Sequence, residues 1–171
     1  MPQDTAPDAI ALLKADHRKV EDLFAKFEKA GAGEKKREIA EQICLELMVH
    51  AQIEEEIFYP ACEGAVEEDL LKEAYVEHDG AKVLIAEIVD GGPGDEFYDA
   101  KVKVLQEMIE HHVEEEEKRV EGMFSQARKA GLDVDALGRE LMARKEELMT
   151  QFKTGGLPEP KTTTFEQTTL R

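Results

Sequence analysis

Residues 50–60 read His-Ala-Gln-Ile-Glu-Glu-Glu-Ile-Phe-Tyr-Pro, a helical stretch with a carboxylate where an apolar side chain is expected. Glu54 follows His50 by four residues, so the two side chains lie one turn apart on one helix face. The same face carries Leu47 and Ile57, which makes it the face that a helical domain buries. Because a buried carboxylate without a partner is costly, the stretch predicts a compensating cation beside the helix.

A second histidine–glutamate pair lies later in the chain. Glu116 follows His112 by four residues, and His112 lies three residues after Ile109. The neighbouring His111 is an alternative, because it has Glu115 at the same spacing and Glu116 at a spacing of five. We favour His112, since its position relative to the apolar stripe repeats that of the first pair.

Histidines also occupy the inward stripe of two further helices. His17 lies four residues after Leu13 and three before Val20, and His78 lies three residues after Tyr75. Four helices thus each place a histidine among their core positions, and the first two helices resemble the second two. The candidate metal ligands are His17, His50, Glu54, His78, His112 and Glu116.

Long helices separated by glycine-rich breaks account for most of the chain. They are predicted over residues 8–29, 34–59, 67–89, 95–130 and 133–152. Short connections favour antiparallel neighbours, so we predict an all-α, up-down four-helix bundle. The predicted units are the bundle over residues 8–130, an additional C-terminal helix over 131–152 and a flexible tail over 153–171, which lacks apolar periodicity.

The candidate ligands are imidazoles and carboxylates without thiolates, a set that suits iron, manganese or zinc. Four histidines and two glutamates exceed what one tetrahedral zinc needs, so they indicate two metal ions. If both carboxylates bridge, each ion receives two oxygens and two imidazoles, and a position remains open for a small molecule. The two cysteines form no CxxC pair; we expect Cys44 to be buried and Cys62 to be exposed near a helix end.

Four segments resemble, in their order, the hemerythrin-like HHE family. They are Asp-His-Arg-Lys-Val-Glu (16–21), the stretch 50–60 quoted above, Glu-His-Asp (77–79) and His-His-Val-Glu-Glu-Glu-Glu (111–117). The resemblance covers residues 8–130 and implies a four-helix bundle with an oxo- or hydroxo-bridged di-iron centre, two Fe ions held by the six candidate ligands. It also implies that dioxygen, nitric oxide or peroxide is the small molecule that binds there.

Two departures from the family pattern concern the site and its surroundings. Respiratory hemerythrins carry another histidine one turn after the third ligand, and this chain has Lys82 there. Because a protonated lysine does not coordinate metal, one iron is expected to lack an imidazole, which argues against dedicated reversible oxygen carriage. Many relatives have a Leu-Phe-Pro segment after the second acid, where this chain reads Lys-Arg-Val-Glu-Gly-Met-Phe-Ser (118–125).

The formal net charge is −17, which argues against nucleic acids and anionic membranes as partners. No stretch approaches the roughly 20 apolar residues of a membrane span, and residues 1–8 lack a basic segment followed by an apolar one. We therefore expect a cytoplasmic protein. A separate protein redox or signalling partner is compatible with the sequence, which indicates no particular oligomeric state.

Three functions are compatible with the predicted centre. It would bind or sense dioxygen, nitric oxide or peroxide, consume peroxide or nitric oxide as an enzyme, or store and handle iron. No separate nucleophile or acid–base pair stands out, so redox chemistry at the metal is the enzymatic hypothesis. The remaining alternative is a helical bundle whose histidines bind no metal.

Overall fold

Four long helices pack into a closed ring in the computed structural model, which describes residues 6–165. The helices in chain order are α1 (Ala9–Lys29), α2 (Glu34–Ile53), α3 (Tyr59–Cys62), α4 (Glu68–Gly91), α5 (Tyr98–Glu117), α6 (Met123–Lys129) and α7 (Val134–Gly155). Within the ring, α1 packs on α2, α2 on α4, α4 on α5 and α5 on α1, while α7 packs on α1 and α2. The all-α bundle that the sequence predicts is confirmed.

Asp8 and Asp133 cap the starts of α1 and α7. Asp8 accepts a hydrogen bond from the Ala11 N–H at 2.8 Å, and Asp133 accepts one from the Ala136 N–H at 3.0 Å. Each cap satisfies a backbone donor that the first turn of a helix leaves free. The two helix starts pack together, because the backbone of Gly138 in α7 lies directly against the chain at residues 7–9.

A single π-helical turn, Glu54–Phe58, connects α2 to α3. The sequence predicts that Pro60 kinks or ends the second helix, but the helical path continues to Cys62. Pro60 lies directly after the π turn, at the second residue of α3. The Tyr59 N–H donates to the Glu54 carbonyl, so these residues, five apart, come onto one face.

The fourth bundle helix is shorter than predicted. Instead of reaching residue 130, α5 ends at Glu117, and the short α6 follows after a turn. Glu121 adopts a positive φ of 65° in this turn. A Cβ on Gly122 would lie 2.3 Å from the Lys118 carbonyl oxygen, so only glycine fits there. The prediction of one continuous helix was wrong, since it placed no break at this turn.

Several smaller expectations can be compared with the structure. Cys44 is buried as expected, but Cys62 is fully buried rather than exposed, because α3 carries it into the core. The last helix continues to Gly155, and the flexibility of the tail stays a prediction. Residues 1–5, which bear on the expectation about a leader, and residues 166–171 of the tail lie outside the described residues. Among the helices described, none combines the length and apolar character needed to cross a bilayer.

Candidate metal centre

All six predicted ligand residues meet inside the bundle. His17 comes from α1, His50 from α2, Glu54 from the π turn and His78 from α4. The remaining two residues come from α5 and are His112 and Glu116. Each of the six is 5% exposed or less, so the site is a buried polar cluster within an apolar core.

The six side chains form two groups of potential ligands. His17, His50 and Glu116 make the first group, which we call site A. Glu54, His78 and His112 make the second, site B. In each site one donor atom from every residue lies within 4.8 Å of the others, a separation that one metal ion spans.

Imidazole nitrogens face one another in both sites. The Nε2 atoms of His17 and His50 are 3.2 Å apart in site A. The Nε2 atoms of His78 and His112 are 3.1 Å apart in site B. Two imidazole lone pairs that converge in a buried place need a proton or a metal cation between them.

Both carboxylates lie between the two sites. Glu54 Oε1 is 2.9 Å from His50 Nε2 in site A and 3.2 Å from His78 Nε2 in site B. Glu116 Oε1 is 3.2 Å from His17 Nε2 and 3.4 Å from His112 Nε2. Each glutamate therefore reaches histidines of both groups, as a bridging carboxylate does.

Three oxygens of these glutamates have no hydrogen-bond partner among the described residues. They are both oxygens of Glu54 and Oε1 of Glu116. Imidazole nitrogens approach them closely, but not in the orientation of a hydrogen bond. Because burying an unpaired carboxylate costs several kcal/mol, the arrangement fits a cation held between the oxygens and the imidazoles.

A ring of outer carboxylates holds the four histidines by their Nδ1 atoms. The Nδ1–carboxylate distances are 3.0 Å for His50 with Asp16, 3.2 Å for His78 with Glu55, 3.0 Å for His112 with Glu77, and 2.7 Å for His17 with Glu117. With the proton on Nδ1, each imidazole presents the lone pair of Nε2 to the centre. The donor set therefore has the chemistry that a metal site requires, and the outer carboxylates favour the tautomer in which Nε2 is free to coordinate.

Comparison with known proteins agrees with this chemistry. The family model described as "Hemerythrin HHE cation binding domain" matches residues 8–124. The chain belongs to this family. Metal binding by the buried cluster is thus supported independently by the family and by the geometry of the donor atoms.

Two relatives place this HHE domain among known proteins. A protein of Nostoc sp. (strain PCC 7120 / SAG 25.82 / UTEX 2576) named "DNA nickase" is 30% identical over 106 residues, which are 62% of this chain and 30% of that protein. The crystal structure of a hemerythrin HHE cation binding domain-containing protein from Mycobacterium kansasii covers 88% of this chain and 95% of its own. Its TM-score is 0.74 at 21% identity, which shows the fold alone.

The HHE centre includes Tyr59, for which the sequence favours core packing but leaves open a role as a proton or electron donor near the site. The Tyr59 hydroxyl donates to Glu116 Oε2 at 3.0 Å and lies 3.1 Å from His78 Nε2 and 3.2 Å from His112 Nε2. Burial raises the pKa of Tyr59 well above its usual value, and nearby carboxylates add to this effect. A spacing of five residues does not by itself predict that Tyr59 and Glu54 share a helix face, because only the π turn brings the two side chains together.

Lys82 and His111 lie outside the donor set. Lys82 directs its ammonium to Glu55 at 2.8 Å and to the Lys161 carbonyl at 3.1 Å, not to the facing imidazoles. The side chain of His111 is 65% exposed and lies 3.3 Å from Glu77 on the surface. The structure thus brings His112, and not His111, to the centre.

Burial and charge act in opposite directions on the pKa values in the HHE centre. Burial lowers the pKa of His50, but the Glu54 and Asp16 carboxylates outweigh it and raise that pKa to about 10. Burial raises the pKa of Glu54, but the charge of His50 and the imidazoles of His112 and His78 hold it well below its usual range. The cluster therefore favours cations, whether protons or metal ions.

A small cavity of about 30 Å³ adjoins the four histidines. Its other walls are mainly apolar and include Val20, Leu47, Ile85 and Ile109. A space of this size holds a molecule of about the size of water or a diatomic gas. The cavity beside the histidines therefore has the volume of a small molecule.

Proposed function

We propose that this HHE domain holds two iron ions and that the ions bind or react with dioxygen, nitric oxide or peroxide. The observation that carries the proposal is the pair of sites A and B with two glutamates reaching both. Iron, when bound, supplies redox chemistry and a position for a small ligand. His17 and His50 would hold one ion, His78 and His112 the other, and Glu54 and Glu116 would bridge them.

The donor set favours iron over zinc. Structural zinc sites are usually closed by four ligands and are often rich in thiolate, whereas this centre offers four imidazoles and two carboxylates. Imidazole and carboxylate together suit iron that keeps an open position. The apolar cavity beside the histidines supports a small neutral or diatomic ligand rather than a charged metabolite.

Tyr59 favours a second candidate function, the enzymatic consumption of peroxide or nitric oxide. Its hydroxyl lies 3.2 Å or less from two histidines and donates to Glu116, so a proton donor stands beside site B. Such a donor serves a reaction that releases water more directly than it serves simple binding. The sequence left open that Tyr59 donates protons or electrons near the site, although it favoured core packing.

The remaining expectations have less support from the structure than the di-iron proposal. The strand-nicking activity in the name of the Nostoc relative is not transferred, because this chain covers 30% of that protein and carries a net charge of −17. Cytoplasmic location and a separate redox or signalling partner stay predictions. Iron storage has only the acidic surface in its favour.

Optical spectroscopy tests the proposed reactivity. The iron-loaded protein is expected to show charge-transfer bands that bleach on reduction and return on exposure to air or peroxide. Tyr59→Phe is expected to retain iron but to change the rate of peroxide consumption, whereas Tyr75→Phe, whose ring packs at 5.2 Å from that of Tyr59, serves as the matched control. Bands that respond to neither reduction nor any of the three small molecules would contradict the proposal.

A further inference from the structure

Residues 157–165, which we call the C-terminal segment, follow α7 and return to the bundle. Leu157 packs against the core, and the Lys161 carbonyl accepts a hydrogen bond from Lys82 Nζ at 3.1 Å. Lys82 belongs to α4 and is 8% exposed. The segment therefore contacts α4 at the position where respiratory hemerythrins carry their additional histidine.

Asp79 anchors the end of this segment. Its side chain is fully buried and accepts backbone N–H groups of Thr163 at 2.9 Å, Thr164 at 2.5 Å and Phe165 at 3.2 Å. The Thr164 hydroxyl donates to the same carboxylate at 2.6 Å. Four donors to one buried carboxylate form a tight attachment, since hydrogen bonds to charged groups are the strong ones.

Thr163 connects this anchor to the metal centre. Its hydroxyl donates to Glu55 Oε1 at 2.8 Å. The other oxygen of Glu55 contacts Lys82 Nζ at 2.8 Å and His78 Nδ1 at 3.2 Å. A continuous chain of contacts therefore runs from the C-terminal segment through Glu55 to a ligand histidine of site B.

The segment also covers one side of the centre. Clefts of about 390 and 280 Å³ lie between it and the bundle, walled by Pro158 and Glu159 on the outside. Met48 lines both clefts and also the small cavity beside the histidines, while Lys82 and Ile85 each line one cleft and that cavity. The segment thus forms part of the wall of two clefts that share lining side chains with the cavity beside the histidines.

We propose that the C-terminal segment is a latch, anchored on Asp79, that positions His78 through Thr163 and Glu55 and closes this side of the metal centre. The latch rests on the proposed metal centre. Thr163 and Glu55 act as positioning residues, because they reach the metal only through His78. Release of the latch frees Glu55 to leave His78 and opens the clefts towards Met48 and Lys82.

Paired threonine variants of the full chain test the latch. Thr163→Val with Thr164→Val removes two hydroxyl donors and keeps side-chain shape, whereas Thr163→Ser with Thr164→Ser keeps the donors. Thr154→Val is the matched control, since the Thr154 hydroxyl donates to carbonyls of its own helix, those of Thr150 and Gln151, and to no other group in residues 6–165. The measurements are the rate at which an excess of ferrous chelator removes iron and the amide hydrogen exchange of the segment.

The valine pair is expected to lose iron about tenfold faster or more, with faster amide exchange at residues 163–165, because charge-assisted hydrogen bonds are lost. The serine pair and the Thr154 variant are expected to match the parent protein in both. An unchanged rate of iron loss in the valine pair, with or without faster exchange, would overturn the latch. A parent protein that holds no iron would instead refute the proposed function.

Discussion

Each outer carboxylate is adjacent in sequence to a ligand of one helix and contacts a ligand histidine of the next. The contacts run from Asp16 to His50, from Glu55 to His78, from Glu77 to His112 and from Glu117 to His17. They therefore follow the ring α1, α2, α4, α5 and back to α1. If the π turn is counted with α2, each helix of the ring contributes one or two side chains to the centre and one that orients a ligand of its neighbour. This arrangement couples the packing of the bundle to the geometry of the metal site.

The adjacent histidines of α5 provide a matched pair of variants. His112→Ala is expected to lower the iron content strongly, because it removes an Nε2 that faces His78 at 3.1 Å. His111→Ala is expected to leave the iron content unchanged, since that side chain is largely exposed. The measurement is iron per chain by elemental analysis after identical loading; loss of iron in the His111 variant alone would show the assignment to be wrong.

The sequence predicted the six central residues because helical periodicity decides which side chains face the core. The acidic runs 54–56 and 114–117 include two of the carboxylates that orient ligand imidazoles, Glu55 and Glu117. No sequence pattern indicated Asp16 or Glu77, whose partners lie on other helices and depend on how these pack. Core packing was favoured over a role at the site for Tyr59, since its approach to the glutamates requires a π turn that a regular helical period does not describe.

At the scale of the element, α7 depends on a glycine. A Cβ on Gly138 would lie 2.4 Å from the Pro7 carbonyl oxygen and 2.9 Å from the Ala9 nitrogen. These are backbone atoms at the start of α1, so they cannot move aside without disturbing the Asp8 cap. Two features therefore fix α7 to the bundle. One is its apolar face, and the other is close contact between its backbone and the backbone at the start of α1.

Gly138→Ala is expected to reduce the free energy of unfolding by about 1 to 3 kcal/mol, because the added methyl group overlaps the backbone of residues 7–9. Gly155→Ala is the control, since a Cβ there meets no atom within 4 Å and alanine favours the helix by up to about 1 kcal/mol. Urea titration followed by circular dichroism measures both. Equal stability of the two variants would contradict the close packing of α7 on α1.

Helix boundaries were predicted best where glycine and capping residues mark them. Glycine-rich stretches coincide with the breaks after α1 and α4, and a capping residue coincides with the start of α7. The end of α5 was missed because Gly122 lies among charged residues that also suit a helix, and its role depends on contact with the Lys118 carbonyl. A single glycine within a charged run marks a helix end less clearly than a glycine-rich stretch does.

At the scale of the whole molecule, the buried charges make stability depend on the metal. Glu54 and Glu116 are buried in a chain whose net charge is already −17. Without a cation, their unpaired oxygens and the facing imidazoles oppose folding or bind protons. Metal bound at the centre is therefore expected to stabilise the bundle. The bundle without metal is expected to be less stable.

Metal removal is expected to lower the melting temperature by about 10 °C or more, since a ligand at about 1,000 times its Kd adds about 4 kcal/mol. Differential scanning calorimetry of the iron-loaded and chelator-treated protein measures this. Glu54→Gln is expected to reduce the difference, because it removes a negative oxygen that lies between both sites. Identical melting temperatures with and without iron would argue that the cluster is structural without being a metal site.

The most direct test of the account is the number of iron ions per chain. Protein loaded with ferrous iron under anaerobic conditions and freed of excess metal is expected to hold two, and His17→Ala and His78→Ala are each expected to hold fewer. The reason is that the two histidines belong to separate groups, sites A and B. A parent protein that holds one iron per chain, or none, would contradict the two-site centre on which the proposed function depends.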